Sequence, residues 1–353
     1  MASEFKKLKV RKIVRETPKA VTVCFDVPDD LKETFSYKHG QYIIIRVESE
    51  GKKEDRAFSI SSSPDYNNHL CITVKESKDG VVSGYINNDL RNGDEVLIKP
   101  PAGKFTIELN ENNQKEYLFI GGGSGISPLI SIIKSVLAVE SESRAVLLYA
   151  NRKEESIILS KELKELEKYF ENRLEIINVL SNPSPTWKGL SRRLSGRRII
   201  DIIKLKIKNY SSAEYFMCGP DGLNREALSA LSGLAINKDQ IHMESYSALI
   251  NKPKKIETKQ KEKTMVKMKL YGEDVEFDVE PGDDIITSAL DNGHEPPFSC
   301  QVGACGSCRA KLITGEVEMD DREALTDEEI NEGFILACQA HPTTDIVEID
   351  FDD

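Results

Sequence analysis

Over the first hundred positions apolar and polar residues alternate in short runs: LKVRKIV from Leu8, KAVTVCFDV from Lys19, QYIIIRV from Gln41, RAFSIS from Arg56, HLCITVK from His69 and DEVLIKP from Asp94. Alternation with period two, rich in β-branched residues and interrupted by turn formers, marks half-buried strands, and this regular spacing predicts a small antiparallel barrel. VVSGYINNDL, Val81 to Leu90, breaks the rhythm and predicts a helix within the barrel.

The period then changes. YLFI (117–120) is an apolar strand, GGGSGISP follows from Gly121 to Pro128, and LISIIKSVLAVE has apolar residues at helical spacing. A strand, a glycine-rich turn and a helix make the unit that holds a diphosphate, because backbone N–H groups at the helix start point at the anion. The G-x-G-x-x-G pattern is met only by Gly121 and Gly123, with Ile126 in the last glycine's place, so a plain tight turn is the competing reading. AVLLYAN (145–151), a helix near 160–170, RLEIINVL (173–180), a helix around Ile199 and EYFMCGP (214–220) continue the alternation and predict an open parallel sheet. Asn151, Arg152, Cys218, Gly219 and Pro220 fall at its strand ends, where such sheets bind ligands. After the second strand stands Asn-Arg-Lys instead of an acidic residue for a ribose hydroxyl; Arg152, Lys153 and Arg193 would suit a 2′-phosphate, or are solvated loop cations.

NKPKKIETKQKEK, 251–263, has six lysines and one large aliphatic residue, and reads as an extended, mobile linker. Beyond it VKMKLYG and VEFDVEPG predict a hairpin, IITSALDNG a helix, and AKLITGEVEMD and DIVEIDF further strands of a small mixed sheet. DEEINE (327–332) predicts a solvated helix face.

Chemistry is densest in FSCQVGACGSC. Cys300, Cys305 and Cys308 are spaced C-x4-C-x2-C, and Cys338 follows after 29 residues. This is the plant-type spacing for a [2Fe–2S] cluster, whose four thiolates converge from one tight loop and one distant segment. Gly303 and Gly306 let the loop bend. A four-cysteine zinc site is the rival, but zinc sites use two short cysteine pairs, and Cys338 has no near partner in sequence. Cys24 and Cys71, on apolar barrel strands, read as small core residues, and no histidine spacing suggests a metal.

Composition changes the picture in one respect. Of the net −11, residues 265–353 carry −18, from 5 Lys and Arg against 23 Asp and Glu, which leaves +7 for residues 1–264. The acidity belongs to the cysteine-bearing tail, which it either solubilises or steers to a basic partner. Nucleic acid is an unsuitable partner for it. No run approaches the ~18 apolar residues of a membrane span, and MASEFKKLKVRKI lacks a secretory core. The expectation is a cytoplasmic protein with reduced thiols.

RAFSIS, then GGGSGISP with YANR and CGP, then the cysteine set occur in this order across nearly the whole chain. In them the sequence resembles the ferredoxin–NADP reductase superfamily, in its class with a C-terminal plant-type ferredoxin domain, and there the phenylacetyl-CoA epoxidase type of reductase component. The resemblance implies an FAD-binding antiparallel β-barrel (1–110), an NAD(P)-binding α/β domain with an open parallel sheet (111–250), a Lys-rich linker (251–264) and an α+β, β-grasp [2Fe–2S] domain (265–353). It implies that Arg56 binds the FAD pyrophosphate, that Ser59 approaches flavin N5, and that Phe58, where Tyr is usual, packs its ring on the cofactor together with Ile60. Val82 and Ser83, after Gly80, would meet a diphosphate, and Glu244 and Tyr246 would lie near flavin and nicotinamide. His39 stands where the family has Pro. The nucleotide, NADPH in preference to NADH, would lie over Gly122, Gly123, Ser124, Gly125, Ile126 and Ser127, with Asn151, Arg152, Gly219 and Pro220 around it. Ser59, Cys218 and Glu244 would be the catalytic set, and Cys300, Cys305, Cys308 and Cys338 the cluster ligands. The implied activity is electron transfer from NADPH through FAD and the cluster to an oxygenase component, with phenylacetyl-CoA epoxidase first, and an acyl-CoA desaturase, a steroid hydroxylase or a Rieske oxygenase as alternatives. A redox-sensing binding protein without steady turnover is the reading from another class.

Overall fold

The computed structural model describes residues 5–49, 52–78, 80–244, 263–294, 296–298, 303, 306, 308–322 and 324–352. The expected linker lies almost entirely outside them. The chain divides into two compact units, one of Lys6–Glu54 with Phe58–Ser245, the other of Met1–Phe5, Asp55–Ala57 and Tyr246–Asp353.

The alternating N-terminal runs form β1 (Lys6–Thr17), β2 (Ala20–Asp26), β3 (Tyr42–Ser49), β4 (Lys52–Ser59), β5 (Leu70–Lys75) and β6 (Glu95–Ala102), with α1 (Val81–Asn88) before the last. They make one sheet in the order β4-β3-β6-β1-β2-β5. Its two edges meet: Ile60 bridges antiparallel to Ile72 of β5, and the Ser61 amide donates to the Cys71 carbonyl at 2.8 Å. The sheet thereby closes into the expected barrel, around Leu8, Val10, Val21, Val23, Phe25, Ile43, Ile45, Ile60 and Ile72, joined by Val82 and Ile86 of α1.

One expectation is overturned here. Cys24 and Cys71 are directly opposed in the β2/β5 register and form a disulfide; both are half-buried, and neither is a reduced core thiol. Alternation along a strand reports which face a residue takes, but the residue opposite it depends on register.

The second half of this unit contains β7 (Glu116–Gly122), α2 (Ile126–Val139), β8 (Arg144–Asn151), α3 (Ser160–Tyr169), β9 (Leu174–Leu180), β10 (Leu190–Ser191), α4 (Gly196–Lys206), β11 (Glu214–Cys218), α5 (Asp221–Gly233) and β12 (Ile241–Glu244). The strands are all parallel, in the order β10-β9-β8-β7-β11-β12. Successive residues of β7 serve opposite faces, Tyr117 and Phe119 packing with α2 and α3, Leu118 and Ile120 with α4 and α5. The chain runs outward from β7 to β10 and then returns to place β11 on the other side of β7. The strand order therefore switches between β7 and β11, where an open α/β sheet opens a crevice at its carboxyl ends.

The other unit is α+β. β13 (Thr264–Leu270) and β14 (Glu273–Val279) form the expected hairpin, followed by α6 (Ile285–Asp291), β15 (Arg309–Thr314), β16 (Val317–Met319), α7 (Asp327–Asn331), β17 (Phe334–Leu336), β18 (Ala340–Pro342) and β19 (Ile346–Asp350). The main sheet runs β14-β13-β19-β15-β17, with β13 and β19 parallel and the other pairs antiparallel. Ile285, Ile286 and Ala289 of α6 pack against it, and no residue of α7 is buried, as DEEINE predicts.

Candidate active site

At the switch point three strands end side by side. Gly121 of β7 is in register with Cys218 of β11, and Cys218 with Glu244 of β12. The turn after β7 holds two positions that need glycine. Gly123 has φ +55, and a Cβ on Gly125 would stand 2.0 Å from the Cys218 carbonyl oxygen. Gly123–Gly125 form a 3₁₀ turn, including Ser124, that leads into α2 at Ile126, and no side chain caps that helix. Tyr149 fixes the turn by donating its hydroxyl to the Gly123 carbonyl at 2.8 Å. Gly122 and Gly219 face each other closely, and a Cβ on Gly122 would meet Pro220 at 2.7 Å. Uncapped N–H groups and bare backbone make an anion cradle here.

Ser59, at the end of β4, is buried and donates its hydroxyl to Glu244 Oε2 at 3.4 Å. The barrel motif and the parallel sheet thus meet at Ser59, Glu244 and Cys218, the last wholly buried. Glu244 is half-buried, and desolvation of its carboxyl pushes its pKa from 4.5 up to about 7, which the Ser59 hydrogen bond only partly offsets. A group with this pKa exchanges protons near neutrality.

Several other expected residues have side chains committed within the fold. Ile60 and Val82 are spent in the barrel core, Ile60 at 0% and Val82 at 1% exposure. The Ser83 hydroxyl bonds to Ser77 Oγ at 2.8 Å and to the Gly80 carbonyl, which leaves α1 with backbone amides to offer at an end that no side chain caps. Ser127 donates its hydroxyl to the Thr73 carbonyl of the barrel at 2.9 Å. Phe58 is half-buried and packs beside the barrel core. Arg56 belongs to the stretch 55–57 that groups with the other unit; its guanidinium donates to the Asp55 carbonyl at 2.8 Å. Asn151 ends β8, and Arg152 and Arg193 are exposed, while Lys153 pairs with Glu155 at 3.4 Å. His39 is buried, its Nε2 3.0 Å from the Ile107 carbonyl, and burial lowers its pKa. Tyr246 lies outside the described residues.

In the other unit Cys308 and Cys338 are buried with their sulfurs 3.2 Å apart, and the Ala337 amide donates to the Cys308 carbonyl at 3.0 Å. Two thiolates sharing a tetrahedral metal at ~2.3 Å bonds stand roughly 3.8 Å apart, so this pair needs only a small opening to hold one iron. Gly303 and Gly306 have φ +73 and +72, the left-handed bends that the cluster loop requires. Cys300 and Cys305 lie outside the described residues.

Family models match all three regions: an oxidoreductase FAD-binding domain over residues 7–107, an oxidoreductase NAD-binding domain over 119–228 and a 2Fe-2S iron-sulfur cluster binding domain over 268–343. The chain is 32% identical to the ferredoxin reductase component of 3-ketosteroid-9-alpha-monooxygenase from Rhodococcus rhodochrous, covering 98% of this chain and 96% of the relative. It is 30% identical to a component of 1,2-phenylacetyl-CoA epoxidase from Escherichia coli K12, covering 99% and 98%. The chain belongs to the ferredoxin–NADP reductase superfamily, in the class with a plant-type [2Fe–2S] domain. Phthalate dioxygenase reductase shares the arrangement in a solved structure, with a TM-score of 0.58 at 21% identity and 98% coverage of both chains. This reductase is an NAD(P)H-dependent flavin iron–sulfur enzyme with FAD, a pyridine nucleotide and a [2Fe–2S] cluster as its cofactors. The bare-backbone cradle at Gly122–Gly125, the uncapped start of α1 and the Cys308–Cys338 pair all fit those groups. Among the described residues no helix is long and apolar enough to cross a membrane.

Sequence reasoning missed Tyr149 and Lys134. Lys134 is 2% exposed within a helix whose residues from Ile126 to Leu137 are all buried. A lone cation in a run whose other polar residues are three serines was the available signal.

Proposed function

We propose that this reductase delivers electrons from NADPH to an oxygenase component, with phenylacetyl-CoA epoxidase as the acceptor. The observation that carries the reading is the meeting of Ser59 with Glu244 beside Cys218, which brings the flavin motif to the strand ends where the nucleotide turn begins. When bound, FAD takes a hydride and yields its electrons singly to the one-electron cluster. The chain's part is to bind, orient and manage protons. Amides of Gly123–Ile126 hold the nucleotide diphosphate, and those at the start of α1 hold that of FAD, with Arg56 supplied by the family motif. Cys218 and the strand-end row seat the nicotinamide within reach of Ser59, so that transfer occurs between oriented partners. Ser59 Oγ donates to Glu244 Oε2, and Glu244, balanced near neutrality, holds or releases a proton at that oxygen. Arg152 and Arg193 take the 2′-phosphate, and Cys300, Cys305, Cys308 and Cys338 hold the cluster.

A second reading, with a steroid hydroxylase as acceptor, is favoured by the 32% identity to the ketosteroid reductase component. Reconstitution discriminates: the protein is mixed with NADPH and either a phenylacetyl-CoA epoxidase oxygenase or a 3-ketosteroid hydroxylase, and product is measured. Epoxide at a rate well above the no-reductase control is expected. Turnover with the steroid hydroxylase alone would replace the first acceptor by the second. NADPH oxidation with neither, nor with ferricyanide, would sink the enzyme reading in favour of a sensor.

A further inference from the structure

One flank of α2 carries Ser127, Ser131, Lys134 and Ser135, spaced i, i+4, i+7 and i+8 and therefore on one face. Every member bonds across to the barrel. Ser127 donates to the Thr73 carbonyl at 2.9 Å, Ser131 to the Ser62 carbonyl at 2.5 Å, Lys134 Nζ to the Ser61 carbonyl at 3.1 Å, and Ser135 shares a 2.7 Å bond with Ser63 Oγ. Three consecutive residues, Ser61 to Ser63, are thus held by successive turns of the helix. Their other side is equally committed, since the amides of Ser61 and Ser62 donate to the Cys71 carbonyl at 2.8 and 3.3 Å. This segment begins two residues after Ser59, about 7 Å along an extended chain.

Lys134 is the costly member. Its ammonium is buried against the Ser61 carbonyl, and the balancing charge is Glu162 of α3, at 2.5 Å. Glu16 of β1 is the other carboxylate whose electrostatic influence reaches this cation. Enclosing a cation is unfavourable unless it is paired and fully bonded, so a methionine here would be the cheaper residue for packing alone. The cation instead fixes three elements at one point: the end of the flavin motif just after β4, α3, and the helix whose first residue closes the nucleotide turn. That first residue lies roughly 12 Å away, along a rigid rod of backbone.

We propose that Lys134 is a positioning residue for hydride transfer: by tying the Ser61 carbonyl to α2, it sets the flavin motif against the nucleotide turn at the distance the transfer needs. The inference rests on the reading of Ser59, Cys218 and Glu244 as the place where nicotinamide meets flavin.

The test uses the full-length, FAD-loaded protein with Lys134→Met and Lys134→Arg. Flavin bleaching by saturating NADPH is followed by stopped flow, and amide hydrogen exchange of residues 59–63 is followed without nucleotide. Displacement by ~1 Å can cost about 100-fold in rate, so Lys134→Met should slow the limiting rate at least tenfold. The nucleotide dissociation constant should stay within about twofold, exchange at 61–63 should quicken, and Lys134→Arg should restore both rate and protection. A wild-type limiting rate in the FAD-loaded fraction of Lys134→Met, even with weakened FAD retention or a lower Tm, would reduce Lys134 to a purely structural role and overturn the proposal. If Lys134→Met does not fold, Ser131→Ala tests the same clamp: a several-fold slower limiting rate supports it, and an unchanged rate overturns it. Failure of the wild-type flavin to accept electrons from NADPH at all would instead sink the site reading beneath it.

Discussion

Glu244 shows how a single enclosed carboxyl couples stability to pH. Its folded-state pKa, about 7, is above its ordinary 4.5, so between these values the folded protein binds more protons than the unfolded chain. Stability from this group is fullest below pH 4.5 and falls as pH rises toward 7, after which the loss is constant. Glu244→Gln removes the titration. The Tm of wild type minus that of Glu244→Gln is therefore expected to decline from pH 5 to pH 7.5, measured in the FAD-loaded protein at several buffers. A flat difference would mean that the carboxyl is not enclosed as described. The same variant should flatten the part of the turnover profile that has an apparent pKa near 7.

At the scale of elements, the turn between β7 and α2 tolerates little change. A methyl at Gly125 would meet the Cys218 carbonyl carbon at 2.5 Å as well as its oxygen, both of them backbone atoms. Gly125→Ala should therefore shift the turn from the strand end, cost about 1–3 kcal/mol as overpacking, and raise the NADPH dissociation constant at least tenfold while FAD stays bound. Equilibrium titration against retained flavin absorbance checks both, and unimpaired nucleotide affinity would show that the cradle lies elsewhere. Elements of this kind were legible because they are local: a strand, a glycine turn and a helix follow one another within 24 residues, and three of the cluster cysteines fall within nine. What was not legible depends on segments distant in sequence. That the Ser127 hydroxyl bonds to Thr73, 54 positions earlier, has no signal in the sequence, and Cys24 reads as a core residue until register sets it opposite Cys71. The Ser83 hydroxyl is taken up nearer by, in a short turn at Ser77–Gly80.

For the whole molecule the division of charge matters most. Residues 1–264 carry +7 and residues 265–353 carry −18, so any protein that approaches the cluster domain meets a strongly acidic body. Steered encounters weaken as the screening length falls from about 30 Å at 0.01 M salt to about 3 Å at 1 M. Turnover with a separate acceptor is expected to drop several-fold across that range, with the limiting rate of flavin reduction by NADPH nearly constant. Steady-state and stopped-flow rates on the same samples separate the two, and acceptor turnover indifferent to salt would leave the acidity a solubilising feature.

The barrel is closed by the last two residues of its flavin motif, through the Ile60–Ile72 bridge and the Ser61 amide. A ligand that binds only the closed form adds its binding free energy to that closure. The seam is where the sheet begins and ends, so parting it would open the barrel. Holding the cofactor and keeping the barrel shut are then one equilibrium, and the protein's thermal tolerance becomes a function of how much free FAD surrounds it.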